Sequence, residues 1–163
     1  TNACIAVRDL KRGKPPKDEA GRERLQRLQA RLQTVPAADI AMSVHCNRVS
    51  VRDGHTETVS LTLRGAPSVD VVTRSFRAFR GRPQELGLPT APAHPIVVRD
   101  EPDRPQPVLD RDVERGMASV VGRVREDPVL GLKFVVLGHN TIRGAAGASV
   151  LNAELLVAEG CLG

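Results

Sequence analysis

With 163 residues, 40% of them hydrophobic and 26% charged, the chain has the size and composition of a single soluble globular domain, and no apolar run reaches the roughly twenty residues of a membrane span. The aromatic residues are Phe76, Phe79 and Phe134, so a base-stacking surface has nothing to build on, and the net charge of +5 comes from Arg interleaved with acids, as in Arg22, Glu23 and Arg24, which argues for a solvated face rather than a nucleic-acid partner. Cys4, Cys46 and Cys161 are odd in number and widely spaced, which excludes a disulfide framework and a zinc knuckle; no metal site is expected, and a reducing cytoplasm is the expected location.

In chain order, Leu25, Leu28 and Leu32 recur at three and four residues among Arg, Gln and Glu, which predicts an amphipathic helix over residues 18–33, ended by Pro36. Residues 40–47 and 48–52 read as short strands, and Glu57 to Leu63 alternates polar and apolar side chains at period two, as a half-buried strand does. Pro67 and Ser68 open a helix over residues 69–79, with Val72, Phe76 and Phe79 on one face and Arg74 and Arg77 on the other. Prolines cluster from Gly81 to Pro107, which predicts a surface crossing with ordered turns and one short strand at Ile96 to Arg99. Two β-rich runs, residues 117–124 and 132–137, flank a turn at Asp127 and Pro128 and should pair antiparallel. Ala- and Leu-rich residues 141–159 predict a long closing helix. Together these elements make an α+β domain, a mixed and largely antiparallel sheet covered by helices, with no internal repeat.

Two places invite chemistry. Arg48 and His55 stand seven residues apart on a strand that runs into a Gly turn. A guanidinium forks onto a carboxylate and an imidazole takes and returns protons near neutral pH, so the pair suits a small carboxylate-bearing substrate. Spacing alone also fits two ordinary surface residues. The second place runs from His139 to Gly147, where a β run meets the closing helix. Asn140 or Thr141 would cap that helix, and its first N–H groups would favour an anion or a polar cofactor edge, although a well-capped helix explains the same residues. Cys46 is expected to be a small buried packing residue and not a nucleophile.

Several motifs occur in a common order: Cys46-Asn47-Arg48-Val49 with Gly54-His55-Thr56-Glu57; Leu88-Pro89-Thr90-Ala91-Pro92; Asp103-Arg104-Pro105-Gln106-Pro107 with Leu109-Asp110-Arg111; Gly116-Met117-Ala118; and the run from His139 to Gly147. Through them the stretch from about Pro36 to Leu156 resembles the aspartate-semialdehyde dehydrogenase family, in the branch found in archaea, fungi and some bacteria.

The resemblance implies the C-terminal catalytic and dimer-forming domain of such an enzyme, with the fold of a glyceraldehyde-3-phosphate dehydrogenase-like C-terminal domain over residues 34–163 and a divergent segment over 1–33. It implies NADPH-dependent reductive dephosphorylation of L-aspartyl-4-phosphate to L-aspartate 4-semialdehyde, in the biosynthesis of lysine, threonine and methionine. In that chemistry a cysteine thiolate attacks the acyl phosphate and a histidine serves as acid and base. Matched motif by motif, His55 would be the acid/base, Arg48 would hold the substrate carboxylate, and Asn140 and Gly144 would lie beside the nicotinamide end of NADP. Arg104, Gln106 and Arg111 match a motif of unassigned role, with support of a domain interface as one option. The Gly-rich nucleotide-binding unit and the Asn-Cys segment that bears the nucleophile have no counterpart in these residues, and the chain starts at Thr1 rather than Met. The expectation is therefore a fragment, inactive alone, that binds NADP mainly through a domain it lacks and assembles as a homodimer or homotetramer. The alternatives are a related malonyl- or succinyl-coenzyme A reductase domain and a non-catalytic dimerisation module.

Overall fold

The computed structural model describes residues 19, 23, 26, 41–46 and 50–161. The leucines of the helix expected over 18–33 lie outside the described residues; Glu19, Glu23 and Gln26 are helical. The chain divides after Leu151, and the unit Asp39–Leu151 carries the sheet and the cleft described below.

Five strands form one sheet among the described residues: β1 (Met42–Cys46), β2 (His55–Leu61), β3 (Ile96–Arg99), β4 (Ser119–Asp127) and β5 (Gly131–Gly138), in the order β1-β2-β5-β4-β3. Every pairing is antiparallel except β3 with β4, so the sheet is mixed and largely antiparallel, as expected. The β4–β5 hairpin turns where Asp127 and Pro128 predict it, and its ladder is broken by a bulge between Gly122 and Arg125, with Arg123 at φ 54°. The strand expected over 48–52 does not form at its described end, since Ser50 to Arg52 bend into the Gly54 turn.

Helix α1 (Val69–Ala78) starts at Ser68, whose hydroxyl accepts from the Val71 N–H, and its apolar stripe lies on the sheet. Val72 joins Val59, Leu61, Val121, Leu132 and Phe134 in a buried cluster, and Phe76 meets Phe134 edge-on with ring centroids 5.4 Å apart, a geometry worth about 1 kcal/mol beyond its burial. Arg77, on the opposite side of the helix, reaches Asp100 at 2.6 Å.

The proline-rich crossing, whose residues 104–107 lie against the second face of the sheet, has more regular structure than the sequence predicts: the short helices α2 (Arg82–Glu85) and α3 (Pro107–Asp110), each with Pro in its first turn. Val120 and Leu137, partners across β4 and β5, are 1% and 0% exposed. A Cβ on Gly122 would run into the Arg104 carbonyl and Pro105, and one on Gly54 would stand 3.0 Å from Pro107 Cβ. The chain at 104–107 therefore lies directly on the backbone of β4 and the β2 turn. Gly122→Ala should lower unfolding stability by about 1–3 kcal/mol in urea titration, because β4 or the Arg104 loop must move to admit one methyl group.

Asp110 holds that loop in place. Only 1% exposed, its carboxylate accepts from Arg99 Nε at 2.9 Å, Arg104 Nε at 2.7 Å and the Gln106 N–H at 2.7 Å. Burial pushes its pKa up, but the hydrogen bonds from Arg104, Gln106 and Arg99 outweigh that and lower it to about 2. Arg104 and Gln106, the residues of unassigned role in the sequence, thus tie α3 and the crossing to the end of β3.

After β5 the chain makes a single π turn at Ile142–Ala146 before the α-helix α4 (Gly147–Ala158). The closing helix is present, but its first turn is wider than the α-helix expected from residue 141.

Candidate active site

Side chains alternate along a strand, so His55, Glu57, Val59 and Leu61 share one face of β2. Val59 and Leu61 are buried beneath α1. His55 and Glu57, at the other end of the same face, open onto a cleft of about 350 Å³ that also includes Val136, Gly138, Asn140, Arg143 and Gly144. The alternation that builds the core thus delivers two ionisable groups to solvent at its edge.

His55 Nε2 lies 2.8 Å from Glu57 Oε1, with the two side chains 57% and 33% exposed. In the neutral ring this hydrogen bond places the proton on Nε2 and leaves the Nδ1 lone pair to accept one. Glu57 stands two residues from the histidine, inside the Gly54-His55-Thr56-Glu57 motif, where no role is evident from the motif itself. Strand periodicity was the signal that could have found it.

The cleft is closed at its far side by an exchange between distant segments. The Gly54 N–H donates to Asn140 Oδ1 at 3.0 Å, and His55 is the register partner of Gly138. The turn before β2 and the end of β5 are therefore fastened together, and Asn140 is held with its amide N–H₂ remaining to donate. Gly54 sits at φ +120°, which only glycine adopts without strain. His55, Asn140 and Gly144 are brought to one cleft. Arg48 lies outside the described residues.

Thr141, one of the two expected residues, is the N-cap, but its side chain makes no capping hydrogen bond. The side-chain acceptor is His139, 7% exposed, whose Nδ1 accepts from the N–H groups of Thr141 and Ile142 at 3.3 Å each. The Gly144 and Ala146 N–H groups donate to the carbonyls of His139 and Thr141 at 2.9 Å. These four donors are satisfied within the chain, and Asn140 lines the same cleft. Gly116, Met117 and Ala118 pack under this turn: a Cβ on Gly116 would lie 2.9 Å from Ile142 Cδ1, and one on Gly147 would run into Met117 Sδ. Two motifs far apart in sequence thus form one contact.

Cys46 is exposed, contrary to the expected packing role. It is the last residue of β1, and β1 lies at the edge of the described sheet with every residue exposed. It stands opposite Glu57 in the ladder. Loss of solvent around the sulfur and a hydrogen bond with the Glu57 carboxylate push its thiol pKa up, the reverse of what an activated nucleophile needs. One Sγ, His55 and Glu57 ligand atom each lie within 4.8 Å of one another.

Gly138 and Gly144 leave part of the cleft without side chains. A Cβ on Gly138 would meet nothing within 4 Å, and one on Gly144 would meet only the His139 carbonyl at 3.6 Å. No helix among the described residues is long and apolar enough to cross a membrane.

Known proteins are similar to this chain in sequence and fold. The family model for the semialdehyde dehydrogenase dimerisation domain matches residues 12–143. The aspartate-semialdehyde dehydrogenase of Methanothermobacter thermautotrophicus is 53% identical over 124 residues, which cover 75% of this chain and 36% of that protein. The Candida albicans enzyme is 50% identical over 127 residues, covering 77% and 35%. The crystal structure of the Candida albicans enzyme with NADP superposes with a TM-score of 0.65 at 50% identity, over 71% of this chain and 33% of that one. The chain spans about a third of the length of these relatives. The match covers more than half of the residues, and the chain belongs to the semialdehyde dehydrogenase family, as a dimerisation domain of that family.

Proposed function

We propose that the chain is the C-terminal catalytic and dimer-forming part of an aspartate-semialdehyde dehydrogenase, which with a nucleotide-binding domain reduces L-aspartyl-4-phosphate to L-aspartate 4-semialdehyde in the cytoplasm, on the route to lysine, threonine and methionine. The observation that carries the reading is the His55–Glu57 pair at 2.8 Å in a cleft shared with Asn140 and Gly144, in a chain half identical to enzymes of that name.

His55 acts as the acid and base, with Glu57 holding the proton at Nε2 so that Nδ1 exchanges protons with the reacting group. Arg48 binds the substrate carboxylate through its two-pronged guanidinium. Asn140 and Gly144 hold the nicotinamide end of NADP, the first through its free amide N–H₂ and the second by letting the ring approach bare backbone. When bound, the cofactor supplies hydride. Most of its contacts, and the thiolate nucleophile, belong to the nucleotide-binding half of such enzymes, so the 163-residue chain by itself does not turn over. The domain assembles as a homodimer or homotetramer.

The test supplies the nucleotide-binding half of a relative in trans and follows NADPH oxidation with aspartyl phosphate. The chain alone should give no rate, and the mixture a measurable one. Turnover with malonyl- or succinyl-coenzyme A but not with aspartyl phosphate would replace the substrate assignment. Stable dimers without turnover on any of the three would leave a non-catalytic dimerisation module.

A further inference from the structure

We propose that Cys46, His55 and Glu57 form a binding site for a thiophilic divalent cation, with zinc as the best-matched ion. The placement follows from strand register. Cys46 faces Glu57 directly across the antiparallel β1–β2 ladder, and directly opposed side chains share a face with Cβ atoms about 5 Å apart. His55 lies two residues before Glu57 on that same face.

The three groups offer one sulfur, one nitrogen and one oxygen, all within 4.8 Å of one another. That is the donor set of four-coordinate zinc with three protein ligands and one position for water. Bonds of about 2.0 to 2.3 Å to zinc put tetrahedral ligand atoms about 3.3 to 3.7 Å apart. Side-chain rotation supplies the difference, since Cys46 and His55 are exposed and Glu57 is partly so. The thiol selects against magnesium and calcium, which take oxygen donors. On binding, the Cys46 S–H bond breaks, an S–metal bond forms and the proton goes to solvent, while one neutral His55 nitrogen donates its lone pair. The bound ion would occupy the imidazole that the proposed reaction uses. That consequence rests on the functional reading above, whereas metal binding itself does not.

The experiment reads binding without any turnover. Cadmium added to the reduced chain should give an ultraviolet thiolate-to-metal charge-transfer band that saturates at one equivalent. The band should be lost in Cys46→Ser and kept in Cys4→Ser and Cys161→Ser. Zinc affinity, measured against a chromophoric chelator, should fall at least about tenfold in His55→Ala and in Glu57→Gln, and zinc should raise the melting temperature of the unaltered chain but not of Cys46→Ser. A band that survives Cys46→Ser, or a zinc affinity indifferent to both His55→Ala and Glu57→Gln, would overturn the proposal. No turnover in the complemented, metal-free enzyme, from a chain that still binds zinc, would instead count against the functional reading.

Discussion

His55→Ala, assayed with the nucleotide-binding half of a relative supplied in trans, is expected to lower kcat by a factor of about 10²–10⁴, the usual contribution of a positioned acid and base. NADP affinity should change little, because Asn140 and Gly144 are untouched. Glu57→Gln should have a smaller effect on kcat, because the 2.8 Å contact survives as a neutral hydrogen bond that still orients the ring. Equal activity of His55→Ala and the unaltered chain across the pH range would remove His55 from the mechanism. Stability should be nearly unaffected, since the His55 side chain is 57% exposed.

Asp110→Asn should be the most damaging single change to the fold, at about 3–5 kcal/mol of unfolding free energy, because it leaves the Arg104 and Arg99 guanidinium groups facing a site with no charge to balance them. The same group makes a pH prediction. Its carboxyl is lowered from the usual 3.8 to about 2 in the folded chain, so its ionised form stabilises the native state in full above about pH 4. That stability is lost as the pH falls through about 2. The difference corresponds to about 2 kcal/mol. Urea titrations between pH 5 and pH 2 should therefore show the gap between the unaltered chain and Asp110→Asn narrowing over the lower part of the range. A gap that stays constant down to pH 2 would mean that the carboxylate is not what the two arginines hold.

The residues that carry local periodicity were legible from the start. The Ser68 start of α1 and the Asp127–Pro128 turn lie where the pattern predicts them, and the alternating strand β2 forms two residues earlier than the expected Glu57 to Leu63, because each depends mainly on neighbours within a few residues. Candidate-site residues His55, Asn140 and Gly144 were also named from motifs, and they share a cleft. Cys46 was misread for a definite reason. A thiol in a strand is buried if the strand is central and exposed if it is at an edge, and strand order is a property of pairings across the whole chain.

The helix start was legible only in part. Thr141 is the N-cap, as one of the two expected residues, yet Asn140 Oδ1 is taken by the Gly54 N–H, 86 residues away, and the side-chain acceptor for the first N–H groups is the buried His139. Composition, strand period and motif order by themselves determined the fold class, the family resemblance and the candidate residues, because backbone preference and side-chain type act over short range. Only the tertiary structure decided which groups meet: Glu57 beside His55, Cys46 opposite Glu57, and Asp110 beneath Arg104 and Arg99. Those contacts depend on register and on the close approach of segments far apart in the chain, which no local pattern encodes.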